Sequence, residues 1–156
     1  METPQNKGYI MMPEWAEHEA TWLSWPKNKE TFAEMLPQVE KIFLEIVRSL
    51  YHNEKVNILI DDKSAEERVR SMIEEAGVNK NVEFHHVKSQ DIWIRDYGPL
   101  FVKQEEQNMI TKWEYNAWGG KYDDLKKDNE IPDYTSANMG KNAFFMTDNS
   151  KIVRLF

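Results

Sequence analysis

Apolar and polar residues change period several times along this chain, and the changes mark its elements. Residues 20–25 mix β-branched and aromatic side chains ahead of Pro26 and predict a strand. Phe32, Met35, Leu36, Val39, Ile42, Phe43, Ile46, Val47 and Leu50 then recur at three- and four-residue spacings, the apolar stripe of a helix. Thr31 and Glu34 form a capping-box pattern at its start. Pro37 requires either a kink or a regular helix that begins near it. Residues 56–60 predict a second strand. Ser64 and Glu67 make a second capping box, Val69, Met72 and Ile73 mark the buried side of the helix it opens, and Gly77 ends that helix as a C′ glycine. Residues 82–87 read as a third strand. Strand, helix, strand, helix, strand with short connections is βαβ grammar, so the predicted class is α/β with parallel strands.

From Asp91 the period is lost. Residues 91–99 mix aromatics, charges and turn formers, and residues 100–103 and 109–115 predict a hairpin around the polar loop 104–108. Residues 116–122 follow as a loop. Beyond Pro132 no element is assigned to the polar stretch 133–141 or to the apolar patches 143–146 and 152–156.

Composition narrows the classes. The 156 residues carry 20 Lys and Arg against 27 Asp and Glu, a net charge of −7, which argues against a nucleic-acid surface. The first nineteen residues hold four glutamates and no long apolar run, and nowhere do eighteen apolar residues run together. A cytoplasmic protein without membrane contact is the resulting expectation. The chain has no cysteine, which excludes disulfides, thiolate metal sites and a cysteine nucleophile of its own. His85 and His86 point to opposite faces of a strand and His52 ends a helix, so no metal site is expected. There is no Gly-x-Ser-x-Gly for serine chemistry.

Two stretches can carry chemistry. In Trp93-Ile94-Arg95-Asp96-Tyr97-Gly98-Pro99 the charged pair precedes a backbone break, where an aspartate among aromatic rings suits a cation. The same residues also read as an internal ion pair of Arg95 with Asp96 or Asp91 at a strand end, with Trp93 in the core. In Trp118-Gly119-Gly120-Lys121 two glycines allow close approach to a ligand and Trp118 supplies a pocket wall. The competing reading is a tight turn after a strand.

Three stretches taken in order resemble the agmatine deiminase family, relatives of the bacterial peptidylarginine deiminases. Met12-Pro13-Glu14-Trp15 with residues 18–26 is similar to the family's N-terminal signature. Residues 91–99 resemble its Trp-Ile-Arg-Asp-x-Gly-Pro motif and residues 116–122 its Asn-Ala-Trp-Gly-Gly-Lys-Tyr motif. The resemblance covers about residues 9–132. It implies the pentein fold, five αβ modules about a pseudo-fivefold axis, of which this chain would hold the N-terminal modules, an incomplete propeller. It implies hydrolysis of the guanidinium of agmatine to N-carbamoylputrescine and ammonia, on the way to putrescine. A cysteine thiolate attacks, a histidine shuttles protons and carboxylates hold the cation, with no cofactor. Asp96 matches the guanidinium-binding aspartate, and Trp93 and Trp118 match aromatic positions lining the pocket.

The family's later Glu-Gly-Gly, histidine and cysteine motifs have no counterpart here, since residues 133–156 contain no Glu, His or Cys. The expected organisation is therefore 1–132 as the N-terminal part of a deiminase-like catalytic domain and 133–156 as an unassigned tail. This is the pattern of a truncated or frame-shifted product, inactive alone and prone to self-association or to pairing with a complementary fragment. Two other readings stay open: a non-catalytic module that binds a guanidinium or amine cation, and an unrelated flavodoxin-like interaction domain.

Overall fold

The computed structural model describes residues 3–139 and 143–146, so the predicted apolar run 152–156 lies outside it. The chain forms two compact units, one of residues Ala16–Ile94 and one that joins the residues up to Trp15 with those from Arg95 onward.

The first unit carries a three-stranded parallel sheet in the order β1-β2-β3, from β1 (Ala20–Ser24), β2 (Lys55–Ile60) and β3 (Val82–His86). Residues Val56 to Ile60 are all buried, as expected of a central strand covered on both faces. The central place of β2 separates this sheet from a flavodoxin-like one, where the first strand lies between the second and third. That alternative is overturned.

Between β1 and β2 the chain forms a single turn, α1 (Lys29–Phe32), then a 3-10 turn and α2 (Leu36–Leu50). Pro37 falls in the first turn of α2, where its missing N–H costs nothing, so the regular helix begins near Pro37 rather than kinking there. Thr31 is not the cap. Asn28 precedes α1, and its Oδ1 accepts from the amides of Glu30 and Thr31 at 2.9 and 3.3 Å. The Thr31 hydroxyl donates instead to the buried Asp91. The predicted apolar stripe is also only partly used: Phe43, Val47 and Leu50 pack on the sheet, whereas Met35, in the 3-10 turn, and Ile42 remain 65% and 59% exposed.

The second capping box is displaced in the same way. α3 (Lys63–Glu75) begins after Asp62, whose carboxylate accepts from the Ala65 amide at 2.9 Å, so Ser64 lies inside the helix. Its far end follows the prediction. Gly77 (φ 84°) donates to Glu74 and Val78 to Ile73, the two reversed bonds of a Schellman closure, and Val78 and Ile73 meet in the core.

The later part of the second unit opens on a four-residue helix, α4 (Ile94–Tyr97), whose first residue closes the other unit. A hairpin of β4 (Leu100–Gln104) and β5 (Gln107–Trp113) follows, turned by Glu105 and Glu106 alone and so tighter than the predicted loop. Ile10 exchanges two backbone bonds with Lys103, at 2.9 and 2.8 Å, and so extends this sheet from the N-terminal side. α5 (Ile131–Met139) and β6 (Ala143–Met146) complete the unit, with β6 parallel to β5. A parallel pair needs a long crossover. Residues 114–142 supply it, and they contain the second motif-bearing loop. The stretch after Pro132, where the sequence shows no period, is thus helical through Met139.

Candidate functional site

β4 and β5 run antiparallel with Leu100 opposite Thr111. The start of β4 and the end of β5 therefore lie at one edge of the sheet. α4 immediately precedes that edge and the loop 116–122 immediately follows it. Asp96 on α4 and Trp118 in the loop, far apart in sequence, are brought there by topology alone. Ligands of α/β folds gather beyond the carboxyl ends of strands, and the end of β5 is such a place.

A row of rings joins the two segments. Tyr97, fully buried, stands 6.0 Å from the Tyr115 ring, Tyr115 meets Trp118 edge-on at 5.6 Å, and Trp118 meets Tyr122 edge-on at 6.0 Å. Edge-to-face pairs of this kind contribute about 0.5–1.5 kcal/mol each beyond the area they bury. Burying Tyr97 fixes its neighbour Asp96. The Asp96 carboxylate enters none of the described hydrogen bonds or ion pairs. Desolvation by the surrounding protein raises its pKa above the ordinary 3.8, against the opposing pull of the Arg95 guanidinium.

Arg95 does not pair with Asp96 or Asp91 as one sequence reading had it. Its guanidinium pairs with Glu14, from the N-terminal signature segment. Asp91 is buried in the other unit, where its carboxylate accepts from Asn28 Nδ2 at 3.3 Å and from its own neighbour's amide, that of Ile92, at 2.8 Å. Trp93 also belongs to that unit and is 39% exposed, so it is not the core residue of the same reading. Asp96 and Trp118 share a unit; Trp93 does not.

The loop 116–122 is a left-handed turn. Ala117, Trp118, Gly119 and Gly120 have φ values of 53, 55, 81 and 77° in succession. Nothing lies within 4 Å of where a Gly119 Cβ would stand, so the backbone angle and not space calls for glycine. Ala117 and Trp118 lack that freedom, and each costs roughly 1–2 kcal/mol in this region. The turn is held by Asn116, whose Oδ1 accepts from Gly119 N at 2.8 Å and whose carbonyl accepts from Gly120 N at 2.7 Å. Lys121 N adds a bond to the Ala117 carbonyl at 3.2 Å. At about 1 kcal/mol net each, these bonds offset the strain. Trp118 is thereby held 43% exposed. The tight-turn reading describes this loop.

Tyr97 and Asn116 lie within the motif-bearing stretches, but neither they nor Tyr115 is among the site residues that the sequence points to. Asn116 had a usable signal, an Asx residue ahead of a Gly-Gly pair. The two tyrosines had none beyond their ring type.

The raised pKa of Asp96 has a stability consequence. Because the folded state holds this proton more tightly than the unfolded chain, ionised Asp96 is a small burden. It is absent below about pH 3.8, sets in as pH rises through that value, and is complete above the folded pKa. Asp96→Asn is therefore expected to raise the urea midpoint slightly at pH 7, within the ~0.5 kcal/mol typical of surface sites. The gain should vanish at pH 3, and an equal gain at both pH values would show that charge is not its cause.

The chain is thus mixed α/β, with the Asp96 carboxylate and the exposed Trp118 indole at one end of a sheet. Residues 10–149 match the Porphyromonas-type peptidyl-arginine deiminase family, and the chain belongs to that family. The match takes in α5 and β6 and runs past Pro132, where the resemblance by motif ends. Agmatine deiminase from Stutzerimonas stutzeri is 30% identical over 134 residues, which are 83% of this chain and 35% of that protein. An X-ray structure provisionally named agmatine deiminase superposes with a TM-score of 0.85 at 24% identity, over 94% of this chain and 41% of that one. The C. jejuni agmatine deiminase solved with substrate bound gives a TM-score of 0.70 at 25% identity, over 89% of this chain and 40% of that one. The chain thus spans about a third of the length of the curated relatives it matches. Among the described residues no helix is long and apolar enough to cross a membrane, and no group of three acidic or histidine side chains could hold a metal ion.

Proposed function

We propose that this chain carries the cation-binding part of an agmatine deiminase-type site, with Asp96 gripping the guanidinium and Trp118 stacking on it. The observation that carries the reading is the Asp96 carboxylate itself, partly desolvated and standing at the same sheet edge as the exposed Trp118 ring. A guanidinium is a planar fork of N–H donors, which a carboxylate can take in two parallel bonds. Its flat cationic face suits an indole. The reaction that follows in a complete site is attack by a thiolate on the guanidinium carbon, loss of ammonia and hydrolysis to N-carbamoylputrescine. This chain supplies the grip and the orientation but no thiol. In this reading each unit, a three-stranded sheet with helical cover, is one αβ module of a pentein. Trp93 is a pocket residue on the strength of the family resemblance alone.

Calorimetric titration with agmatine tests the proposal. Charge-assisted bonds contribute about 1.5–3 kcal/mol, so Asp96→Ala should weaken agmatine binding roughly tenfold to a hundredfold. A folded chain that binds no agmatine, or binds it equally well without the Asp96 carboxylate, contradicts the reading. Binding that depends on Asp96 but tolerates putrescine as well as agmatine would favour a general amine-binding module instead.

A further inference from the structure

We propose that Asn129 is a positioning residue, which holds the left-handed turn and through it the Trp118 indole. Its bearing on ligand binding rests on the guanidinium reading; its bearing on the turn does not. Asn129 lies in the 3-10 segment Asp123–Glu130, outside both motifs. Its carboxamide spans the backbone of Tyr115: Oδ1 accepts from Tyr115 N and Nδ2 donates to Tyr115 O, both at 2.7 Å. The second proton of Nδ2 reaches the Lys126 carbonyl at 3.0 Å. The side chain thus pairs with Tyr115 as a neighbouring strand would, two residues beyond the end of β5, where backbone groups lose their ladder partners.

Tyr115 is the place where such a grip has most effect. The next residue, Asn116, supplies both acceptors that close the turn, for Gly119 and Gly120. The ring of Tyr115 is the edge-on neighbour of Trp118. Asn129 therefore fixes both the point from which the strained turn departs and the surface against which Trp118 leans. Ala117 and Trp118 sit in a conformation that their residue types avoid, so the turn persists only while its flank is held.

Site-specific amide exchange followed by NMR tests this. In Asn129→Ala the amides of Gly119, Gly120 and Lys121 should exchange at least tenfold faster, while those of Ile58 and Leu59 in β2 keep their rates. Unchanged protection at residues 119–121 overturns the proposal. So does a uniform acceleration, which would make Asn129 a general stability residue. Where the variant does not fold, the unmodified chain still decides: the Asn129 carboxamide protons should exchange far more slowly than those of exposed Asn108, and equal rates overturn the proposal. Agmatine titration adds a second readout, an expected tenfold weakening in Asn129→Ala. A native chain that binds no agmatine counts against the guanidinium reading alone, and the exchange rates then stand as the test of Asn129.

Discussion

Agmatine incubated with the purified chain is expected to release no ammonia above the uncatalysed background. The guanidinium is resonance-stabilised and a poor electrophile, so deimination requires a strong nucleophile held on its carbon as well as a grip on its nitrogens. Enzymes of ordinary power lower such barriers by at least about 8 kcal/mol, roughly a millionfold in rate, and orientation alone leaves the covalent step undone. In the proposed chemistry a thiolate supplies that step, and this sequence contains no cysteine. In the proposed site the Asp96 carboxylate would place and polarise the cation and would already be committed to it. A coupled ammonia assay on protein freed of any longer homologue should read zero, with and without Asp96→Ala. Turnover that survives such purification and disappears in Asp96→Ala would show a nucleophile of another kind at work.

The second large effect is on folding. Ile58 is fully buried at the middle of β2, itself the middle strand of the parallel sheet, paired with Leu23 on one side and Phe84 on the other. Ile58→Ala removes three carbons from a site walled by Val56, Ile60 and Val69, all buried. Truncations of this kind cost about 2–5 kcal/mol, the spread reflecting how far the surroundings collapse into the space. Against a typical domain stability of about 5–15 kcal/mol, that is a large share. The urea midpoint should fall accordingly. Ile42→Ala, at the 59%-exposed position of α2, should change stability by no more than about 0.5 kcal/mol. Equal losses at the two sites would mean that the sheet is not the core of that unit.

The first unit was largely legible in the sequence because burial imposes periods. Val56 to Ile60 is apolar at every position but Asn57 because this whole stretch of the central strand is buried, and Gly77 marks a helix end because only a left-handed residue closes it there. The caps were misplaced for a local reason. Asn and Asp cap at least as well as Thr and Ser, so Asn28 and Asp62 take the role, and a short polar side chain followed by a glutamate is too common to fix a start to the residue. The second unit was harder to read. α5 buries little beyond Ile131, Pro132 and Thr135, so it shows no apolar stripe. The left-handed run through Ala117 and Trp118 is invisible because those residue types argue against it; it exists only through Asn116 and, in the account proposed here, Asn129. Asp96 was found through its motif, whereas the edge it shares with Trp118 follows from hairpin register, which no periodicity reveals.

The guanidinium reading is tested most directly by titrating agmatine and putrescine in parallel against the native chain and Asp96→Ala. The two ligands share a four-carbon chain and an amine and differ in the guanidinium that Asp96 is proposed to grip. The account predicts at least tenfold tighter binding of agmatine by the native chain and collapse of that ratio in Asp96→Ala. Equal affinity of the native chain for both ligands, or a preference that survives the loss of Asp96, would contradict it.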